Sequence, residues 1–142
     1  MESEDIKALL EKEKEEYNKG NWEFIYPYYA DSFVFHNFPF PDTVGIEANK
    51  ESDRAMFNAF SNIKFQTQKL EVIGDHVFWV WSWEAVHTGF SPTLGIEPTG
   101  KTVYIEGCDV LRWEGDKIAE QWRYNNYLAI LQQLGMIPAS AG

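Results

Sequence analysis

The segment HVFWVWSWEAV at residues 76–86 limits the fold of this chain more than any other. It carries apolar side chains at both odd and even positions, whereas a strand with one face in water alternates apolar and polar residues. Successive side chains of a strand point to opposite faces, so both faces of this strand must be covered. We expect one face to meet helices or a cavity and the other to meet a second subunit.

Helical periodicity dominates the first part of the chain. Apolar residues at helical spacing predict an amphipathic helix over residues 3–19. The segment NWEFIYPYYA suits a short second helix, bent or stopped near Pro27, because proline interrupts the hydrogen bonding of a helix. A strand, SFVFHNF, and a loop through Gly45 follow. A third helix begins near Asn49, and its helical spacing runs on to Phe60.

Four β-rich runs make up most of the remaining chain. They are KFQTQKLEVIG, HVFWVWSWEAVHTG, TVYIEGCDVLRW and KIAEQWRYNN, with turn signals such as GDH and EGDK between them and a short helix, YLAILQQLG, after them. Helices followed by a strand meander indicate an α+β fold, with helices on one face of a mostly antiparallel sheet. The length of 142 residues fits a single domain over residues 1–142.

Composition excludes several classes of partner. The net charge of −10 and the absence of a basic stripe argue against nucleic acid. No apolar run approaches the roughly 20 residues that cross a bilayer, and the charged N-terminal segment lacks an apolar signal core, so we expect a cytoplasmic protein without membrane contact. Cys108 is the only cysteine, which excludes an internal disulfide and a site built from several thiolates.

The hairpin at residues 107–126 places charged side chains inside an apolar strand pair. If its turn is centred on EGDK, Asp109 lies opposite Arg123. Asp109 shares its strand face with Ile105 and Leu111. In an apolar pocket burial raises the pKa of such a carboxyl group, which is then able to act as an acid or base. Alternatively, Asp109 and Arg123 pair only to satisfy two buried charges, and both roles stay open.

Several motifs occurring in order resemble the SnoaL-like polyketide cyclase family. They are the loop HTGFSPTLGIEPTGKTV, the hairpin GCDVLRWEGDKIAEQW and the tail LQQLGMIP. The family belongs to a superfamily with ketosteroid isomerase, scytalone dehydratase and nuclear transport factor 2. The resemblance implies a cone-shaped α+β barrel, with three N-terminal helices packed on a curved, mostly antiparallel sheet around a conical pocket. It also implies a homodimer through the convex sheet face and chemistry without metal or organic cofactor.

The resemblance also points to individual residues. In the similar enzymes the position of Asp109 faces the pocket, and the position of His36 often carries a polar pocket residue, so we expect both to be catalytic. The cyclases place an acid/base Asp on the last strand, where this chain has Arg123 and Asn126. Neither of these is a carboxylate, and we expect them to bind substrate oxygen atoms.

Three further residues are candidates for substrate binding, and each has a simpler alternative. His87 ends a strand and is also suited to bracing the following loop. Trp122 lies in the pocket only if a bulge reverses the strand faces, and otherwise points toward a partner subunit. Arg54 is able to reach a cavity, and its simpler alternative is a solvated or ion-paired side chain. His36 has the alternative of a hydrogen-bonded histidine at the pocket mouth, and the spacing of the histidines does not indicate a metal site.

Three functions from different classes follow. The first is a cofactor-free enzyme acting by acid–base chemistry on a small hydrophobic, polyketide-like carbonyl compound. The second is a ligand-binding or accessory protein that has lost the last-strand carboxylate. The third is a purely structural dimer. A cavity of several hundred cubic ångströms that touches Asp109 separates the first two from the third.

Overall fold

The computed structural model describes residues 1–138, and in it two of three α-helices precede the long strands. In chain order the elements are α1 (Ser3–Asn18), a 3₁₀ helix (Trp22–Tyr28), β1 (Tyr29–His36), β2 (Thr43–Val44), α2 (Ile46–Ala59), β3 (Phe60–Ile73), β4 (His76–His87), β5 (Thr102–Glu114), β6 (Lys117–Asn125) and α3 (Tyr127–Gln133). No helix in this part of the chain is long and apolar enough to cross a membrane.

The six strands of residues 1–138 form one sheet in the order β2-β1-β6-β5-β4-β3. Neighbouring strands are antiparallel except for β1 and β6, which run parallel. Register shifts interrupt the β3–β4 and β5–β6 ladders, and such bulges bend a sheet. The predicted α+β class with a mostly antiparallel sheet is therefore confirmed.

The two faces of β4 differ in what covers them. The inward side chains are all buried, and they are Val77, Trp79, Trp81, Trp83, Ala85 and His87. They pack with apolar residues of α1 such as Ile6 and Leu10, which are buried in the same core. On the other face Phe78 keeps 38% of its surface exposed. The helices thus cover only one face of the strand that the sequence predicts to be covered on both.

The predicted end of the third helix is wrong, and the sheet explains the difference. Phe60 continues the helical spacing of α2 but begins β3, because it pairs with His87 of β4 and packs its ring against Trp83. Strand pairing at this point outweighs the local helical pattern. The second helix ends near Pro27 as the sequence predicts: it is a 3₁₀ helix that contains Pro27 and ends one residue later, because proline lacks the N–H that continues a helix.

The helix α3 covers the part of β5 that β6 does not reach. The β5–β6 ladder begins at Gly107, which leaves the first residues of β5 without that neighbour. The Gln133 side chain accepts a hydrogen bond from Tyr104 N at 2.7 Å and donates one to Tyr104 O at 2.8 Å. The amide of Gln133 therefore replaces the hydrogen bonds of an adjacent strand, and α3 closes this side of the sheet.

Candidate functional site

A cavity of about 370 Å³ lies between the sheet and the helices. Its apolar wall includes Trp79, Trp81, Trp83, Ile105, Leu111 and Ile118. Its polar lining includes Glu13, Asp53, Asp109, Gln121, Arg123 and Asn125. The cavity expected from the sequence is present, and Asp109 and Arg123 both border it.

Asp109 is the centre of a hydrogen-bond network at the sheet end of the cavity. It lies directly opposite Arg123 in the β5–β6 ladder, as the turn position predicts. Arg123 donates from Nε to Asp109 Oδ1 and from Nη2 to Oδ2, both at 2.9 Å. Gln121 Nε2 donates to Oδ2 at 2.7 Å, and Trp81 Nε1 donates to Oδ1 at 3.1 Å. Both oxygens of this buried carboxyl group are therefore already engaged within the protein.

The indole of Trp81 reaches Asp109 because residue 107 is glycine. A Cβ atom on Gly107 would lie 2.6 Å from the Trp81 ring and 2.9 Å from the backbone oxygen of Tyr124. Both distances are too short for a side chain to occupy this position without displacing Trp81. Glycine inside a strand often marks such a close approach, and here it makes room for one of the donors to Asp109.

Several contacts fix the orientation of the Arg123 guanidinium, but they do not use all of its N–H donors. Its guanidinium carbon lies 4.9 Å from the Phe35 ring centroid and 5.7 Å from that of Trp81, within the range of cation–π attraction. Burial lowers the pKa of Arg123, but the adjacent Asp109 carboxylate outweighs burial and leaves that pKa raised. Its side chain keeps 34% of its surface accessible. Nη1 makes no hydrogen bond within residues 1–138, so donors remain for another acceptor.

Asp53 lies at the helix end of the same cavity. It accepts a hydrogen bond from the Tyr26 hydroxyl, and Asn49 Nδ2 donates to Tyr26 Oη at 2.9 Å. Burial raises the pKa of Asp53, and the Tyr26 hydrogen bond and the charge of Arg123 offset part of this increase. Asp53 therefore combines a fixed orientation with a proton affinity above that of an ordinary aspartate.

Glu13 is the second carboxyl group at the helix end. It is only 8% exposed, and its Oε2 has no hydrogen-bond partner in the described part of the chain. Burial, reinforced by the charges of Asp53 and Glu16, raises the pKa of Glu13 to about 9. At neutral pH this side chain is therefore a neutral carboxylic acid.

Both helix carboxyl groups escaped the reasoning from sequence, although a signal was present. Glu13 stands three residues after Leu10 and four before Tyr17, so it lies in the middle of the apolar face of α1. Asp53 precedes Met56 by three residues and shares a face of α2 with it. An acidic residue within an apolar helical stripe is a signal for a buried carboxyl group, and neither residue had been singled out.

His36 does not face the cavity, so the expectation that it lies in the pocket is wrong. Its neighbour Phe35 lines the cavity, and adjacent strand residues point to opposite faces. On the outer face, His36 Nε2 lies 2.6 Å from Glu120 Oε2 and Nδ1 lies 2.9 Å from Asp42 Oδ1. Hydrogen bonding to Glu120 raises the pKa of His36. Its contacts are those of an ion-paired surface residue.

Trp122 and Asn126 also lie outside the cavity. Trp122 stacks on His36 with ring centroids 5.4 Å apart, on the outward face that follows when Asp109 points inward. Asn126 is the N-cap of α3, and its Oδ1 accepts a hydrogen bond from Ala129 N at 3.1 Å. It borders a separate surface depression near Tyr124. Both were expected to bind substrate, and neither lines the cavity.

His87 and Arg54 also make contacts that stabilise the structure outside the cavity. His87 is completely buried, and its Nδ1 accepts a hydrogen bond from Thr99 N at 3.1 Å, which braces the loop before β5. Arg54 forms an ion pair with Glu51 and lies over the Trp22 ring, 5.8 Å from its centroid. Neither borders the cavity. Within residues 1–138, His, Cys, Asp and Glu side chains nowhere form a group of three that could hold a metal ion.

Comparison with known proteins identifies the family. The family model described as SnoaL-like polyketide cyclase matches residues 7–134, nearly the whole chain, so the protein belongs to this family. The resemblance recognised in the sequence is confirmed. A search of curated proteins finds no match.

Solved structures share the fold over most of their length. AclR of Streptomyces galilaeus, described as a candidate hydroxylase, has a TM-score of 0.84 at 21% identity, covering 96% of this chain and all of that one. A candidate polyketide cyclase of Acidithiobacillus ferrooxidans has a TM-score of 0.75 at 27% identity, covering 90% and 92%. IdmH of Streptomyces antibioticus, also a candidate polyketide cyclase, has a TM-score of 0.72 at 20% identity, covering 91% and 97%. The predicted cone-shaped α+β barrel is confirmed.

Replacing Asp109 by Asn tests the pairing at the sheet end of the cavity. The change leaves Arg123 without its partner carboxylate, and breaking a buried pair in this way costs about 3–5 kcal/mol. Because Arg123 keeps some accessible surface, we expect a loss of about 3 kcal/mol in the free energy of unfolding, measured by urea denaturation. Asp31→Asn, at an exposed position on β1, is the matched control. Equal stability of Asp109→Asn and the wild type would contradict the pairing.

Replacing Glu13 by Gln tests whether this residue is neutral in the folded protein. The pKa of Glu13 is about 9 when folded against an ordinary value of 4.5, so the folded state keeps a proton that the unfolded chain releases. Wild-type stability then falls as pH rises from about 5 to about 9, by up to about 1.4 kcal/mol per pH unit. The side chain of Gln does not titrate, so the Glu13→Gln variant lacks this contribution to the pH dependence.

We therefore expect the stability of Glu13→Gln relative to the wild type to increase with pH over this window and to level off above it. Thermal or urea unfolding at a series of pH values gives the measurement. Glu15→Gln is the control, because Glu15 lies on the exposed side of α1 with 59% of its side chain accessible. A difference between Glu13→Gln and the wild type that stays constant with pH would show that Glu13 is ionised throughout.

Proposed function

We propose that this protein is a cofactor-independent enzyme that transfers a proton on a small hydrophobic, polyketide-like carbonyl compound. Membership of the SnoaL-like polyketide cyclase family supports the reaction class. The cavity supports the size and polarity of the substrate, since about 370 Å³ lies within the usual range of small-molecule sites. Its wall of tryptophan and aliphatic side chains suits a hydrophobic molecule.

The proposal depends mainly on one observation: a fixed cation, Arg123, and a proton acceptor, Asp53, border the same cavity. Removing a proton next to a carbonyl group moves negative charge onto the carbonyl oxygen. Arg123, held by Asp109 and with Nη1 free of protein partners in residues 1–138, is positioned to stabilise that charge. Asp53 borders the same cavity, and burial raises its pKa toward the value that favours a general base near neutral pH.

In this proposal Asp109 is a positioning residue. Both of its oxygens accept hydrogen bonds from Arg123 and from either Gln121 or Trp81, so taking up a proton would require breaking that network. We therefore assign proton transfer to Asp53 instead of Asp109 or His36. Asp109 contributes by orienting the guanidinium before the substrate arrives, which avoids a reorganisation cost during the reaction.

The apolar wall contributes to the proposed chemistry as well. Trp79, Trp83 and Leu111 line the space around the charged groups and leave little room for water once a ligand is bound. Electrostatic interactions strengthen when water is excluded, so the attraction of Arg123 for a developing oxyanion is greater than in solution. A substrate without apolar surface would not displace water from this wall effectively.

A second candidate function is ligand binding without catalysis. Arg123 and Asn126 occupy the positions at which the resemblance places the cyclase carboxylate, and Asn126 is committed to capping α3. These observations favour a protein that kept the cavity and lost the original base. The two functions differ in one measurable respect, because only the enzyme accelerates proton exchange on a bound carbonyl compound.

Deuterium exchange at C2 of ethyl benzoylacetate in D₂O, followed by proton NMR, separates these functions. We expect the wild type to accelerate exchange and Asp53→Asn to reduce the protein-dependent rate by about 100-fold, because the amide cannot accept the proton. Asp42→Asn, whose carboxyl group contacts His36 on the outer face, is the control. Binding without accelerated exchange would favour the second function, and an unaltered rate in Asp53→Asn would exclude Asp53 as the base.

We further propose a homodimer formed through the outer face of the sheet. Three aromatic side chains on this face are exposed: Phe78 by 38%, Tyr104 by 47% and Tyr124 by 62%. The helices pack on the opposite face. Burying aromatic surface against a second copy stabilises an assembly, and this arrangement also supplies the second cover that the pattern of β4 calls for.

Light scattering at micromolar concentration tests the assembly. We expect the wild type to have twice the mass of one chain and Tyr124→Asp to shift the population toward monomer, because a buried, unpaired charge opposes association. Phe90→Asp is the control, since Phe90 is 49% exposed but lies in the loop after β4. A monomeric wild type would contradict the proposal.

A further inference from the structure

Glu13 is a buried polar group whose Oε2 has no hydrogen-bond partner in the described part of the chain. Its position in the apolar stripe of α1 turns it toward the core, and it borders the cavity. More than nine-tenths of the residue is buried. Across residues 1–138 it forms neither a hydrogen bond through Oε2 nor a salt bridge. Buried polar groups in proteins are almost always paired, so this arrangement calls for a partner from outside the chain.

The surroundings of Glu13 determine its protonation state. Glu16 and Tyr17 are close on its own helix, and Tyr26, Tyr29 and Asp53 face it from the 3₁₀ helix, β1 and α2. The titratable side chains among them are either acidic or phenolic. Of the basic side chains nearby, the Arg123 guanidinium is paired with Asp109, and Lys50 lies over the Tyr26 ring, 5.5 Å from its centroid. An ionised Glu13 would be a buried charge beside another carboxylate, which is strongly unfavourable.

We propose that Glu13, as a neutral carboxylic acid, donates a hydrogen bond to an uncharged carbonyl oxygen of the molecule that occupies the cavity. The helix end of the cavity is then a binding site for a ketone or ester oxygen. This inference rests on the proposed function only in taking the cavity as the ligand site, and it requires no catalysis.

The same geometry rejects a carboxylate at this position. A carboxylate oxygen placed against Glu13 would also approach Asp53, and two like charges in a poorly hydrated space repel strongly. A negative or partly negative oxygen is accommodated instead at Arg123. A ligand with two oxygen functions is therefore oriented, with the neutral oxygen toward α1 and the oxygen that gains charge toward the sheet.

Two probes of nearly equal shape test the hydrogen bond. We would measure the binding of 2-acetylnaphthalene, which carries a ketone oxygen and does not ionise, and of 2-ethylnaphthalene, which lacks it, by equilibrium dialysis at pH 7. We expect the wild type to prefer the ketone by about tenfold, the typical effect of one hydrogen bond in a buried site. Glu13→Met, which keeps the volume but removes the donor, should bind both probes equally. Glu13→Gln, which keeps an N–H donor, should retain the preference.

A pH series gives a second readout. The ketone preference of the wild type should disappear as Glu13 loses its proton above about pH 9, whereas Glu13→Gln should keep its preference at the same pH. Glu15→Met on the exposed side of α1 is the control, and circular dichroism verifies that each variant is folded. A wild type without ketone preference, a Glu13→Met variant that retains it, or a Glu13→Gln variant that loses it would each overturn the proposal.

The dialysis experiment is independent of the exchange assay. If ketone preference depends on Glu13 but no exchange is accelerated, the enzymatic function fails and the binding site stands. If exchange is accelerated but the Glu13→Met variant keeps the ketone preference, the enzymatic function stands and the role of Glu13 is overturned.

Discussion

The ion pair between Asp109 and Arg123 is the interaction on which the rest of the site depends. It joins β5 and β6 inside the barrel through two hydrogen bonds of 2.9 Å. A buried ion pair is a weak source of net stability, because removing both charges from water is costly. Its value here is geometric: the pair directs a guanidinium into the cavity, and Gln121 and Trp81 complete the coordination of the carboxylate.

The two ends of the cavity carry different ionisable groups. The sheet contributes a cation that is already paired, while the helices contribute Glu13 and Asp53, whose pKa values are raised by burial. Buried carboxyl groups reduce stability relative to an apolar filling, most of all Glu13, whose Oε2 has no hydrogen-bond partner in residues 1–138. Proteins tolerate such local violations of packing rules mainly where a function requires them. The buried carboxyl groups at one end of the cavity and the cation at the other therefore support a ligand-binding role for the cavity.

The sequence predicted the sheet end of the site better than the helix end. The position of the turn at EGDK determines which residues of β5 and β6 face each other. The pairing of Asp109 with Arg123 therefore followed from counting residues along one hairpin. Asp53 and Glu13 lie on two different helices, and bringing them together depends on how those helices pack. His36 shows the same limitation on a strand, because its neighbour Phe35 took the inward position. A local pattern specifies alternation but not which face turns inward.

The amino-acid sequence by itself determined the α+β class, the family and the register of the β5–β6 hairpin, since each depends on periodicity, motif order or a single turn. Only the tertiary structure decided which titratable groups share the cavity. Trp122 and Asn126 lie outside it, whereas Glu13 and Asp53 border it. The physical reason is that burial shifts proton affinity only where distant segments exclude water together, and no local stretch of sequence encodes that enclosure.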